Sequence, residues 1–153
     1  MLGLKLVHLI ERHSAELAAG LTKRVLESER TCDFRKISPH RLELTAAEIY
    51  RNLGEWLLYK TDADIGERFQ AIAATRVANG VGLHQFIWAM VISRDHLWQF
   101  LQENAMADGI VELSGRMELQ EMLSRFFDSA MYYGVLGATK TRTMQIAHRS
   151  GGK

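Results

Sequence analysis

The sequence has little of the residues that cross-link chains, bind metals or break helices. Cys32 is the one cysteine in 153 residues, so a disulfide within the chain is excluded and no Cys-x-x-Cys pair exists for a zinc site. A lone thiol is typical of a reducing compartment, which predicts a cytoplasmic protein. Pro39 is the one proline, so long stretches are free to form uninterrupted helix.

Long apolar runs and a strong excess of one charge are also missing. Glu11 and Arg12 interrupt the N-terminal apolar segment, which excludes a signal peptide. No stretch reaches the roughly 18 apolar residues of a membrane span. The formal net charge of +1 lacks the basic face that nucleic acid normally requires. We therefore expect neither a membrane nor a nucleic acid as partner.

Catalytic and metal-binding motifs are absent as well. There is no glycine-rich phosphate loop after a strand, no Gly-x-Ser-x-Gly elbow and no His-Glu-x-x-His. Gly80 and Gly82 are explained by the end of a helix. The Glu-x-x-His pairs of helical di-metal centres are missing too. These absences predict a protein that is not an enzyme and has no metal site.

What the sequence has is helical periodicity along nearly its whole length. Apolar residues recur at steps of three and four, which predicts about five helices, over residues 4–29, 39–60, 61–79, 83–103 and 111 to beyond 140. Ser38 and Thr61 are at N-cap positions. We expect one all-α domain, a helical bundle or a globin-like packing, with its core over residues 4–140. Residues 141–153 are a basic tail or the start of a linker.

Two arginines stand in apolar surroundings. Arg76 continues the apolar stripe of the third helix, and Arg94 has apolar neighbours three and four residues away on both sides. A buried guanidinium must be paired. The simpler interpretation favours structural pairing or stacking on Trp98, and the acids available for it are Glu48, Asp95 and Asp128. The functional alternative is a pocket for an anionic or carboxylate ligand.

The histidines raise the question of haem. His13 lies at the inner edge of the first helix, and His96 lies on the fourth helix, twelve residues from His84. That spacing does not place two histidines on a common metal. Ordinary partly buried histidines are the favoured interpretation, and a haem-binding globin-type gas sensor is the alternative.

The last helix is longer than a compact domain of this size needs, so we expect it to project. It carries small residues beside aromatic ones: Phe126, Ala130, Tyr133, Gly134 and Gly137. Glycine lowers helix stability, so two glycines within four positions indicate close packing or a kink. Packing within the monomer and a seam of a homodimer that leads to an output domain are equally compatible with this pattern.

Several segments together resemble a known family. They are RVANGVGL at 76–83, RFFDSAMYY at 125–133, a first helix with Glu16-Leu17 and Arg24-Val25-Leu26, and a second helix opened by Ser38-Pro39. The chain thereby resembles the RsbRD-type N-terminal domain of stressosome co-antagonists and histidine kinase inputs over residues 4–140. The resemblance implies a dimeric helical sensor, globin-like without haem, that signals through its last helix.

The leading hypothesis is thus a cytoplasmic signal-input domain of a bacterial signalling protein, which senses a small molecule or protein cue. Domains of this kind normally precede an output module, so we expect either a fragment of a larger protein or a free-standing relative that acts on a partner protein. A haem-binding gas sensor and a non-catalytic dimerisation or scaffold module are the alternatives.

Overall fold

The chain is all-α in the computed structural model, which describes residues 4–106 and 113–151. Within those residues there is no strand, and seven α-helices follow one another: α1 Leu4–Arg12, α2 Ser14–Glu27, α3 Pro39–Arg51, α4 Leu53–Leu58, α5 Asp62–Ala78, α6 Leu83–Leu101 and α7 Leu113–Gly151. A 3-10 segment, Glu29–Lys36, joins α2 to α3, and a π turn, Gln102–Met106, follows α6. The predicted all-α class is confirmed.

Two of the predicted helices are each divided in two, so the predicted count of about five helices is too low. The breaks fall at His13 and Asn52, whose backbone angles leave the helical range. At both breaks the side chain lies against the carbonyl four residues earlier. His13 Nδ1 is 2.9 Å from the Leu9 oxygen, and Asn52 Nδ2 donates to the Glu48 oxygen at 2.9 Å. Such side-chain bonds compete with the helical ladder, which periodicity alone does not reveal.

Other predicted helix ends agree with the structure more closely. Thr61 caps α5 by accepting a hydrogen bond from the Asp64 N–H, while the Asp64 carboxylate accepts one from the Thr61 N–H. Pro39 opens α3 as expected, but the side chain of Ser38 makes no capping bond. The break predicted at 107–109 and the helix start predicted at Val111 lie outside the described residues.

The core lies between three sets of helices. Helix α2 packs on α3 and α6, α1 packs on α3 and α4, and α7 packs chiefly along α5. The apolar stripes predicted for the first helix are buried, since Val7, Ile10, Leu17, Leu21 and Val25 are all less than a tenth exposed. The coarse prediction of a helical bundle therefore agrees with the described residues.

Helix α7 continues beyond the bundle. It has 39 residues and is therefore about 58 Å long at 1.5 Å per residue. Between residues 115 and 138 one face of it is buried by the other helices, whereas residues 142–151 are exposed. One end of the longest helix thus remains open to other contacts. In the described parts of the chain, no helix has both the length and the apolar character needed to cross a bilayer.

Candidate functional site

An apolar cavity lies at the centre of the bundle. Its volume is about 120 Å³, and its wall comes from α2, the 3-10 segment and helices α3 to α7. Most of the wall is aliphatic or aromatic, and it includes Leu21, Ile49, Met90, Leu97, Phe126 and Phe127. A space of this kind between helices is a usual place for a small ligand.

The hydroxyl groups of the threonines and the serine in the wall are already used. Thr22 donates to the Ala18 carbonyl at 2.8 Å, and Ser93 donates to the Ala89 carbonyl at 2.7 Å. Thr45 donates to the Arg41 carbonyl at 3.2 Å. Because each hydroxyl donates its proton to its own helix, none of the three needs a further acceptor.

Arg76 is the charged group of the cavity wall. The residue is 5% exposed, and its Nη2 donates to Thr45 Oγ1 at 3.2 Å. No ion pair joins it to an acid within residues 4–104 and 115–151. The predicted pairing with Glu48 is not made, because Glu48 binds Arg68 at 3.0 Å. Burial, and then the charges of Arg41 and Arg68, lower the pKa of Arg76 from its ordinary value.

Tyr50 is the second polar residue of the wall that can form a further hydrogen bond. The sequence analysis did not predict its role. It is 4% exposed, and its buried hydroxyl has no hydrogen-bond partner in the described part of the chain. Burial raises the pKa of Tyr50, so its hydroxyl remains a donor at neutral pH. Tyr50 follows Leu42 and Ala46 at steps of four along α3, which is the signal that could have predicted its burial.

We expect Tyr50→Phe to raise the free energy of unfolding of the ligand-free protein by about 1 kcal/mol, because a buried donor without an acceptor carries an uncompensated desolvation cost. Urea denaturation followed by circular dichroism measures this change. The matched control is Tyr133→Phe, which removes a hydroxyl that donates to Asp62 Oδ2 at 2.5 Å and is expected to lower stability. A loss of stability in Tyr50→Phe would show that its hydroxyl has an acceptor.

The structure does not bring the other predicted ligand-binding residues to this cavity. Arg94 Nε lies 3.8 Å from the Asp95 carboxylate, and the Arg94 side chain is 37% exposed. Trp98 is half-buried against the core, and neither residue lines the cavity. Because α6 is apolar on several sides, Arg94 has apolar neighbours along the helix although its guanidinium is not buried.

The two predicted histidines are occupied by contacts elsewhere. The His13 ring packs against Phe100, with ring centroids 5.5 Å apart. His96 lies between α6 and α2, with Nδ1 3.2 Å from Arg24 Nη1 and Nε2 3.2 Å from the Leu17 carbonyl. Burial, and then the charge of Arg24, lower the pKa of His96 and favour its neutral ring. No histidine lines the cavity.

The residues predicted to form a dimer or relay seam lie inside this chain's own packing. Ala130, Gly134 and Gly137 are buried, and a Cβ atom at Gly134 would clash with the Phe86 ring. Phe126 lines the cavity, and Tyr133 bonds to Asp62 at the start of α5. These five residues therefore hold α7 to α5 and α6. A homodimer stays a prediction, and its seam would have to use other faces of α7.

Comparisons with known proteins do not assign a function to this site. Comparisons of the chain with models of protein families, with curated proteins and with solved structures returned no match. In the described residues, no three side chains among histidine, cysteine, aspartate and glutamate are grouped as metal ligands would be. The resemblance to RsbRD-type domains thus stays a prediction, and the function must be inferred from the cavity and α7.

Proposed function

We propose that the chain is the signal-input domain of a bacterial signalling protein, which binds a small-molecule cue in the cavity and relays its presence through α7. The main support for the proposal is that a single helix, α7, both lines the cavity and extends beyond the bundle. Phe126 and Phe127 of α7 line the cavity, and the same helix continues into the exposed residues 142–151. In this proposal the bundle is a cytoplasmic, non-haem, globin-like sensor of the type that the RsbRD resemblance implies.

The mechanism requires that the cue binds two arrangements of α7 with different affinity, since a ligand shifts an equilibrium only by that difference. The aromatic side chains of Phe126 and Phe127 contact the cavity directly, so an occupant adds contacts to one position of α7 and not to another. The hydrogen bond from Tyr133 to Asp62 and the close approach of Gly137 to Gln70 then fix that position against α5. The exposed end of α7 moves with it as a rigid helix.

The output surface in this proposal is an exposed stripe on α7. Tyr132, Leu136, Thr139, Thr143 and Ile146 follow one another at alternating steps of four and three, which is the heptad spacing of a coiled-coil seam. Tyr132 and Ile146 are 65% and 56% exposed. We assign this stripe to a homodimer or to an output domain. A dimerisation or scaffold module without a ligand is the second candidate, because it would use the same stripe.

Filling the cavity with a side chain tests the relay without knowledge of the cue. Ala46 lines the cavity, so Ala46→Leu places extra carbon atoms inside it. We expect slower amide hydrogen exchange along residues 115–141 of α7, because an occupied cavity holds Phe126 and Phe127 in place. Ala19→Leu is the matched control, since Ala19 is exposed on α2 and lies outside the cavity.

The outcome separates the two candidates. Slower exchange in α7 for Ala46→Leu, and unchanged exchange for Ala19→Leu, supports a sensor whose last helix responds to the cavity. Equal exchange in both variants, together with a dimer that Ile146→Glu dissociates in light scattering, favours the scaffold module.

A further inference from the structure

The cavity contains a positive charge that no acid of the described chain neutralises. Arg76 has five N–H donors, and one of them is used by Thr45. The serine and threonine hydroxyls of the wall donate to their own helices, the Tyr50 hydroxyl has no partner, and none of these neutral groups offers Arg76 a negative charge. A buried ion without a partner destabilises the folded state, and proteins normally pair it. An anion bound in the cavity at Arg76 would therefore be stabilised by this charge.

The surroundings of Arg76 add to its positive charge. Arg41 and Arg68 act on it as further positive charges, and the carboxylate of Glu48 is bound to Arg68 at 3.0 Å. A planar carboxylate matches the two parallel N–H donors of a guanidinium, which makes it the preferred partner of a buried arginine.

The size and the mostly apolar wall of the rest of the cavity favour one small, apolar acid. At about 120 Å³ the space is somewhat smaller than the roughly 150 Å³ cavity that accepts benzene in another protein. It thus accepts about five to seven non-hydrogen atoms. Arg76, Ile72 and Phe69 follow at steps of four and three along α5, and the Phe69 ring lies 5.6 Å from that of Phe126. Apart from the Tyr50 hydroxyl and the three hydroxyls that bond to their own helices, the described wall beyond Arg76 is apolar.

We propose that the cavity binds a short aliphatic monocarboxylate of about three to five carbons, with its carboxylate on Arg76 and its chain against Ile72, Phe69 and Phe126. A dicarboxylate or a phosphate ester would place a second charge among these apolar side chains, which excludes both classes. The identification of this acid as the sensed cue rests on the function proposed above. The binding itself does not require the relay.

Calorimetric titration of the purified chain with 3-methylbutanoate tests the proposal, with 3-methylbutanamide as a neutral ligand of the same shape. We expect the acid to bind at least tenfold more tightly than the amide, because only the acid neutralises Arg76. Arg76→Met keeps the side-chain volume and removes the charge, so it should weaken binding of the acid at least tenfold. Arg94→Met is the matched control on α6 and should leave binding unchanged.

Arg76→Lys retains a charge but loses the two-pronged geometry, and we expect it to bind the acid less tightly than the wild type and more tightly than Arg76→Met. The comparison of acid and amide on the wild type remains decisive if Arg76→Met does not fold. Equal binding of acid and amide, or no binding of straight and branched acids of about three to five carbons, overturns the proposal.

The two proposals fail in different ways. Binding of the acid that depends on Arg76, without a change in hydrogen exchange along α7, supports the carboxylate site and contradicts the relay. Equal binding of acid and amide, with slower exchange along α7 for both, supports the relay and contradicts the carboxylate site.

Discussion

Gly137→Ala is expected to lower the free energy of unfolding by about 3 kcal/mol, the upper end of the usual cost of inserting atoms into a packed interface. A Cβ atom at this position would lie 2.6 Å from both the Cα atom and the carbonyl oxygen of Gln70. These are backbone atoms of α5, so no side-chain rotation relieves the clash. The helices α5 and α7 must separate, although their contact is the most extensive between helices of the bundle.

Urea denaturation of Gly137→Ala beside two other glycine variants measures this effect. Gly151→Ala is the control, since no atom lies within 4 Å of its Cβ position and alanine favours helix. It should leave stability unchanged or raise it slightly. Gly134→Ala should fall between the two, because the Phe86 ring that it meets is a side chain at the cavity wall, which shifts at less cost than backbone. A Gly137→Ala protein as stable as the wild type contradicts the close approach of α7 to α5.

The same position bears on the relay. If α7 transmits the state of the cavity by its position on α5, then pushing the helices apart at Gly137 should also change the exchange of amide hydrogens in residues 115–141. The expected direction is faster exchange, opposite to the effect of filling the cavity at Ala46. If Gly137→Ala speeds amide exchange in α7 but leaves the free energy of unfolding unchanged, the contact of α7 with Gln70 is not what restrains the motion of this helix.

The sequence predicts the helices well where local signals agree with one another. For α5, the capping residues Thr61 and Asp64, the apolar stripe and the closing Asn79-Gly80 all indicate the same helix, and α5 runs Asp62–Ala78. The breaks at His13 and Asn52 were not predicted, because each depends on one side chain that reaches a carbonyl of the preceding turn. Periodicity continues across such a break and so conceals it.

The site was predictable only in part. The inward position of Arg76 follows from the stripe of Ile65, Phe69 and Ile72, because one face of an amphipathic helix is buried. The exposure of Arg94 does not follow, since α6 is apolar on several sides and its pattern leaves open which side faces the core. A pattern of small residues also does not show whether a helix packs on its own chain or on another chain. In the structure, Gly134 and Gly137 pack against other helices of this chain.

Phe126→Ala is expected to lower the free energy of unfolding by about 3–5 kcal/mol, the usual cost of removing a buried phenyl ring. Phe126 is 3% exposed and is the centre of an aromatic cluster, with ring centroids 6.2 Å from Trp56, 5.6 Å from Phe69 and 5.4 Å from Phe127. Met117→Ala is the control on the same helix, because Met117 is 61% exposed and lies outside the proposed output stripe, and its effect should stay within about 0.5 kcal/mol. Equal effects in the two variants contradict the placement of α7 in the core.

The milder variant Phe126→Leu connects this cluster with the proposed ligand. It keeps an apolar side chain in the wall but enlarges the cavity at the end remote from Arg76, since Phe126 contacts Phe69 seven residues before Arg76 on α5. If the carboxylate lies on Arg76 and its chain points toward α7, the added space should shift the preference of the protein toward acids longer by one or two carbons. Titration with a series of straight-chain acids measures that shift. If Phe126→Leu prefers the same acids as the wild type, and binding still depends on Arg76, then the end of the ligand lies away from Phe126. In that case the cue has no direct contact with Phe126 through which it could act on α7.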